Sequence, residues 1–246
     1  MSKLKISGSN AKIEYPSLSL LSGYSCQGAL DCLAKVKIID GKRKLIDGPM
    51  AKFRCFSASA EAQFPSVYEQ RKHNLDLLRK CKTVDDMYNL LKVSIKDSFT
   101  PFRIHVGGDF FNQKYFDAWI KYASKNPHRI FYAYTKSINY WVERLEEIKQ
   151  LPKINELPNL RLVASRGGRY DNLIKEHNLK EAIVVSSEEE AKKLNLEIDN
   201  DDSLAIHNKN SFALVIHGTQ KQGTKEARIV ETNKRNKIHS YSKNRK

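Results

Sequence analysis

Arg103-Ile104-His105-Val106-Gly107-Gly108-Asp109, followed by Phe110-Phe111-Asn112, is the stretch that decides the fold. Polar and apolar side chains alternate up to the glycine pair, which is the period of a half-buried strand. Asn112 then stands where a helix cap belongs, ahead of Phe116, Trp119, Ile120 and Ala123 at helical spacing. A strand running through a glycine turn into an amphipathic helix is a βα unit. The pattern recurs downstream, with strands expected over 130–134, 160–164, 182–185 and 212–217 and helices over 138–148, 171–177 and from Ser187 to about Asn195. Upstream, 17–23 reads as a short first strand, 38–46 as a hairpin turning at Asp40-Gly41, and 68–80 as a helix. Thr83-Val84-Asp85-Asp86 opens another helix with a capping-box-like start.

Such alternation implies an α/β fold with a mostly parallel sheet and helices outside, either open or closed into a complete or partial (β/α) barrel; the barrel-like arrangement is favoured. Residues 1–220 are expected to form one domain and 221–246, with nine Lys and Arg against two Glu, a basic extension. In parallel α/β architectures the loops at the C-terminal strand ends carry the chemistry. That places Arg103, His105, Asp109, Lys136, Arg166 and His217 around one polar pocket. Arg166 and Arg169 beside Gly167-Gly168 form a candidate anion site, because guanidinium groups and open backbone N–H groups together hold phosphate or carboxylate. Phe116, Trp119 and Trp141 read as core.

The chain of 246 residues carries 43 Lys and Arg against 28 Asp and Glu, a net charge of +15. An excess of this size attracts polyanions, so nucleic acid is the leading partner class, with plain solubility as the competing reason for the lysines. No signal-like apolar run opens the chain and no stretch approaches the ~20 apolar residues of a membrane span, so a cytoplasmic protein without a membrane partner is expected.

Reduced cysteines in such a compartment read as ligands, nucleophiles or core filler before disulfides. Cys26, Cys32 and Cys55 follow the spacing C-x5-C-x22-C, unlike the common zinc or ferredoxin patterns. They lie among Gly, Ser and Asp after the first strand, and the turn-rich insertion between Cys32 and Cys55 lets all three meet. Three thiolates suit a [4Fe-4S] cluster with one open iron; zinc needs a fourth ligand, and inert burial without metal is the third reading. Cys81, in a helical Leu78-Arg79-Lys80-Cys81 run, is the candidate fourth ligand for zinc but reads first as a half-buried bystander.

Ser25-Cys26-Gln27-Gly28-Ala29, Phe53 to Ser59, Arg103 to Phe110, Tyr132 to Lys136 and Ala164 to Gly168 resemble the phage gene-88-product family over residues 17–219. That resemblance implies a phage-type protein in the host cytoplasm and carries no reaction with it. More remotely, a cysteine-bearing loop after strand one and a strand ending in Gly107-Gly108-Asp109 resemble radical S-adenosylmethionine enzymes. There three cysteines hold the cluster and a Gly-Gly-Glu segment contacts the amino group of S-adenosylmethionine. Here the cysteine spacing differs and Asp109 replaces Glu. The resemblance implies Gly107, Gly108 and Asp109 as cofactor contacts and Arg166 as partner of the cofactor carboxylate. The competing class is a nucleic-acid-binding or replication protein without redox chemistry. A rolling-circle initiator fits poorly, because Gly107 follows His105-Val106 where a second His belongs.

Overall fold

Leu18, Phe102, Ile104, Phe131, Leu160 and Leu162 are the apolar residues around which the sheet is laid, all nearly or wholly buried. The structure is a computed structural model that describes residues 2–8 and 14–236. Its first third runs β1 (Ser17–Leu18), β2 (Ala34–Ile39), β3 (Lys42–Asp47), α1 (Phe56–Gln63), α2 (Pro65–Lys80) and α3 (Val84–Ser94). The middle follows as β4 (Phe102–Ile104), α4 (Gln113–Ser124), β5 (Phe131–Thr135), α5 (Ile138–Val142), α6 (Leu145–Lys149), β6 (Lys153–Ile154) and β7 (Leu157–Pro158). Then come β8 (Leu160–Ser165), α7 (Asp171–Glu176), β9 (Glu181–Val185), α8 (Glu188–Lys193), α9 (Ser203–His207), β10 (Phe212–Val215) and α10 (Lys225–Arg235).

Six strands form one parallel sheet in the order β1-β4-β5-β8-β9-β10, so neighbours in space follow chain order. Among the described residues the edge strands β1 and β10 do not pair with each other. The sheet is therefore open at that seam. Beyond β10, the Gln220 side chain ties that edge to the connection between β3 and α1, accepting from the Arg54 amide at 2.8 Å and donating to the Arg54 carbonyl at 3.2 Å. The Phe56 and His217 rings lie beside that link, 4.9 Å apart.

One face of the sheet packs Phe102, Phe131, Leu160 and Leu162 against α2, α3 and α4, with Leu75, Leu91, Phe116 and Trp119 in the same core. The other face carries Tyr132, Val163, Ala182 and Phe212 and is filled by Ala205 and Ile206 of α9. Lys180 Nζ fastens that helix by donating to the carbonyls of Leu204 and Asn208, each at 2.6 Å. Desolvation there brings the Lys180 ammonium down to about 8.

The helix starts follow local chemistry. Thr83 accepts from the Asp86 amide at 3.1 Å while Asp86 accepts from the Thr83 amide at 2.9 Å, a complete capping box, and Asn112 accepts from the Tyr115 amide at 2.8 Å. Several expected elements differ: the first strand, expected over 17–23, spans only Ser17–Leu18, and the one expected over 212–217 ends at Val215. The strand read through 103–109 stops at Ile104, because His105 takes a left-handed φ of 66° and turns the chain out of the sheet. The helix expected over 138–148 is two short helices, α5 and α6. The hairpin expected over 38–46 is present but starts earlier, β2 pairing β3 antiparallel from Ala34 and Asp47 to the turn at Asp40-Gly41. Within the basic segment, α10 buries Val230 and Asn233, whose side chain donates to the Ser186 carbonyl at 2.8 Å; residues 237–246 lie outside the described residues. No helix among the described residues is long and apolar enough to cross a membrane.

Candidate functional site

The loop after β1 brings Cys26 and Cys32 over the C-terminal end of the sheet because its backbone is tied to the turn after β8. The Leu30 and Asp31 amides donate to the Gly167 carbonyl at 3.3 and 3.0 Å, and the Arg169 amide donates to the Gly28 carbonyl at 2.8 Å. Gly28 is obligatory in this contact: a Cβ there would stand 2.0 Å from the Lys136 carbonyl oxygen. The chain then leaves through the β2–β3 hairpin and returns at Cys55, which is the N-cap residue of α1. A buried-edge ion pair sets this return, Arg54 Nη2 meeting Asp47 Oδ2 at 2.5 Å.

Cys26, Cys32 and Cys55 thereby line one cavity of about 160 Å³, together with Arg103, His105, Gly107, Gly108, Asp109, Lys136 and His217. Cys81 lies elsewhere, at the end of α2, with its thiol toward the Leu77 carbonyl at 3.6 Å. Among the described residues no three His, Cys, Asp or Glu side chains are gathered closely enough to hold a single metal ion.

Burial is the main force on the three thiols. It pushes Cys55 up to about 12, Cys26 well above the ordinary thiol range, and Cys32 upward. Their mutual repulsion adds to this, Cys55 and Cys32 acting on Cys26 and Cys32 on Cys55. Backbone N–H groups act the other way: the Gly23 amide points at Cys26 Sγ from 3.3 Å, and those of Ser57 and Ala58 favour a Cys55 thiolate. The Lys136 ammonium does the same for Cys32. The site thus holds protonated thiols unless a cation joins them, while donors that suit metal-bound sulfur already face them.

Five of the six residues expected around one polar pocket line this cavity. Arg103 pairs with Asp202 at 2.5 Å, its guanidinium 5.0 Å over the Tyr134 ring. His105 is buried, with Nε2 3.0 Å from the Tyr115 hydroxyl, and burial lowers its imidazole to about 3. Asp109 accepts from Thr135 Oγ1 at 2.6 Å and from the Lys136 and Phe110 amides at 2.8 Å, yet burial still outweighs these donors and raises its carboxyl to about 6. Lys136 Nζ donates to the Ser165 carbonyl at 2.7 Å and also to that of Arg166. His217 sits against Phe56. Arg166 is the exception: its Nε and Nη2, one edge of the guanidinium, donate to the two Glu181 carboxylate oxygens at 2.6 and 2.9 Å, and it does not line the cavity. The anion site expected at Arg166 is thus occupied by the chain's own carboxylate, brought alongside by the β8–β9 pairing.

Gly107 and Gly108 line the cavity, but close packing also demands them. A Cβ on Gly107 would stand 2.1 Å from Ser57 Oγ, and Gly108, at φ 85°, would meet Ser25 Oγ at 2.6 Å. Sequence reading missed the polar knot behind them. Arg71 Nη1 donates to Glu61 Oε1 at 2.8 Å and to Ser57 Oγ at 2.6 Å, and Ser22 Oγ donates to the same Glu61 oxygen at 2.9 Å. It also missed Asp202, which accepts from Arg103, Tyr132 and Tyr134, of which Arg103 and Tyr134 line the cavity. The Asp199 to Asp202 run beside a turn was a polar signal, but nothing in the order of residues names its partners 65 to 99 positions away.

Comparison with known families matches residues 2–237 to the gene product 88 family, and the chain belongs to it. No curated protein and no solved structure matches the chain.

Proposed function

We propose that this member of the gene product 88 family is an iron–sulfur enzyme of the radical S-adenosylmethionine kind, with Cys26, Cys32 and Cys55 as the cluster ligands. The observation that carries this reading is that three thiols from two loops, remote from Cys81, line one cavity at the C-terminal end of a parallel sheet. The donor set fits a cluster better than zinc. Zinc draws four ligands onto one atom at ~2.3 Å, whereas a cubane takes each thiolate at a separate corner and leaves a fourth iron open. Thiols that share a cavity without being gathered onto one point suit the second geometry.

When bound, the cluster supplies one-electron reduction of a ligand on its open iron. The chain's own residues hold and shield that ligand. Asp109 keeps acceptor capacity beyond its three donors, which suits an ammonium group. Lys136 and the amide donors steady the thiolates, and the apolar wall of Val184, Leu214 and Ile216 keeps water out. Arg166, held by Glu181, has no part in this reading.

Anaerobic reconstitution with iron and sulfide, followed by absorption spectroscopy and metal analysis, tests it. About four irons per chain and a broad charge-transfer band are expected for the parent and for Cys81→Ala, and loss of both for Cys26→Ala, Cys32→Ala or Cys55→Ala. Stoichiometric zinc, or iron in the Cys26→Ala, Cys32→Ala and Cys55→Ala variants equal to that of the parent, overturns it.

A further inference from the structure

The hairpin between Cys32 and Cys55 is much larger than closing a loop requires, and its two faces differ sharply. Val36 is fully buried and Leu45 packs against the main core, while Arg43 on the same face reaches the Ala62 carbonyl of α1 at 3.3 Å. The opposite face carries Lys35, Lys37 and Ile39 on β2 and Lys42, Lys44 and Ile46 on β3, by the alternation of each strand. Register sets Lys37 directly across from Lys44. Lys37, Lys42 and Lys44 are exposed, and Lys35 lies 5.6 Å over the Tyr24 ring.

Like charges directly opposed across a ladder destabilise it, and a two-stranded hairpin has little stability to spare. The nearby carboxylates relieve this only slightly: Asp40 meets Lys44 at 3.8 Å with its side chain 87% exposed, and Asp47 is engaged by Arg54. Strand geometry sets the lysines roughly 7 Å apart along β2 and about 5 Å across to β3, a two-row grid of ammonium groups. Exposed Ile46 and Met50 lie among and after them, giving apolar surface beside the charges. The hairpin leads straight into Arg54, Cys55 and the exposed Phe56 ring at the cavity wall.

We infer that this face binds the phosphate backbone of single-stranded nucleic acid and holds it beside the cysteine cavity. The ammonium rows neutralise successive phosphates, and the Phe56–His217 ring pair offers a face on which an unpaired base stacks at the cavity mouth. Duplex DNA keeps its bases inside, so the ring pair would go unused. The binding itself rests on the hairpin and not on the iron–sulfur reading.

The test is fluorescence anisotropy of a labelled single-stranded oligodeoxynucleotide with the full chain, before and after anaerobic reconstitution, across a salt series. The double variant Lys37→Glu/Lys42→Glu is compared with Lys192→Glu/Lys193→Glu on α8, which changes net charge equally. The hairpin variant is expected to bind at least about tenfold more weakly, with the salt slope reduced by about 1.4 for two lost phosphate contacts. Lys37→Glu also places a carboxylate opposite Lys44, so the melting temperature should hold or rise while binding falls, which separates lost contacts from lost fold. Equal weakening by both double variants would reduce the effect to net charge and overturn the inference. So would salt-independent binding, or preference for an acidic polypeptide over the oligonucleotide. A chain that binds the oligonucleotide but takes up no iron would leave this inference standing and remove the cluster.

Discussion

Two buried groups at the cavity, His105 and Asp109, pull the stability of this protein in opposite directions as pH changes. Folded Asp109 keeps its proton up to about 6, against an ordinary value of 3.8, so its contribution is complete below pH 4 and is lost as pH rises through 6. Folded His105 stays neutral down to about 3, against 6.5 when exposed, so its contribution is complete above pH 6.5 and is lost as pH falls towards 3. Between about pH 4 and 6 the two slopes, each roughly 1.4 kcal/mol per pH unit, cancel. Urea midpoints measured across that window should be nearly flat for the parent, fall with rising pH for His105→Asn, and rise with pH for Asp109→Asn. Asn suits position 105 because it tolerates the left-handed backbone. Parallel curves for all three proteins would show that neither group titrates as its burial requires. The Glu61–Arg71 pair gives a second check at this scale: Arg71→Ala strands a fully buried carboxylate and should cost about 3–5 kcal/mol by denaturant unfolding, with much of that recovered in Arg71→Ala/Glu61→Gln. Residue roles were the least legible part of the sequence. The Arg166 side chain looked like an anion site because its satisfier, Glu181, comes from the next strand, and the register that joins them is set by the sheet as a whole.

Elements whose signals are local were readable, and those stabilised from a distance were not. Thr83 and Asn112 announced α3 and α4 because a cap and its amide lie three residues apart. The hairpin was visible in Asp40-Gly41 between alternating strands. By contrast α1, Phe56-Ser57-Ala58-Ser59-Ala60-Glu61-Ala62-Gln63, has no apolar stripe, since it buries Ser57, Ala58 and Glu61 against Arg71 and Ser22. Helix α9 has five residues and is fastened by Lys180, Arg161 and the Asp202 cluster. Strand β4 was read too long because the alternation of 103–107 continues past Ile104, although the backbone turns at His105. The loop bearing Cys26 and Cys32 depends on a backbone approach that only glycine permits. Gly28→Ala would drive a Cβ into the Lys136 carbonyl, a rigid neighbour, and is expected to cost about 1–3 kcal/mol or more and to lower iron uptake on reconstitution. Gly8→Ala, where an added Cβ meets nothing within 4 Å, is the matched control.

At the scale of the whole molecule, the fold class was legible because βα repetition is periodic, and the shared cavity followed from parallel strands returning each loop to one end. If the cavity binds a cluster, ligation joins segments on either side of the hairpin, and binding to the folded state alone stabilises it. Hydrogen exchange of 23–57 should then slow on reconstitution in the parent while that of α3 and α4 changes little; equal slowing everywhere would indicate a global effect instead. The order β1-β4-β5-β8-β9-β10 has a further consequence, for synthesis. In a chain leaving the ribosome from its N-terminus, β1 waits for β4, and every later strand of this sheet emerges when a neighbour it pairs with is already out. No strand has to insert between two that are already joined, so once β4 has met β1 the sheet can lengthen by one edge at a time.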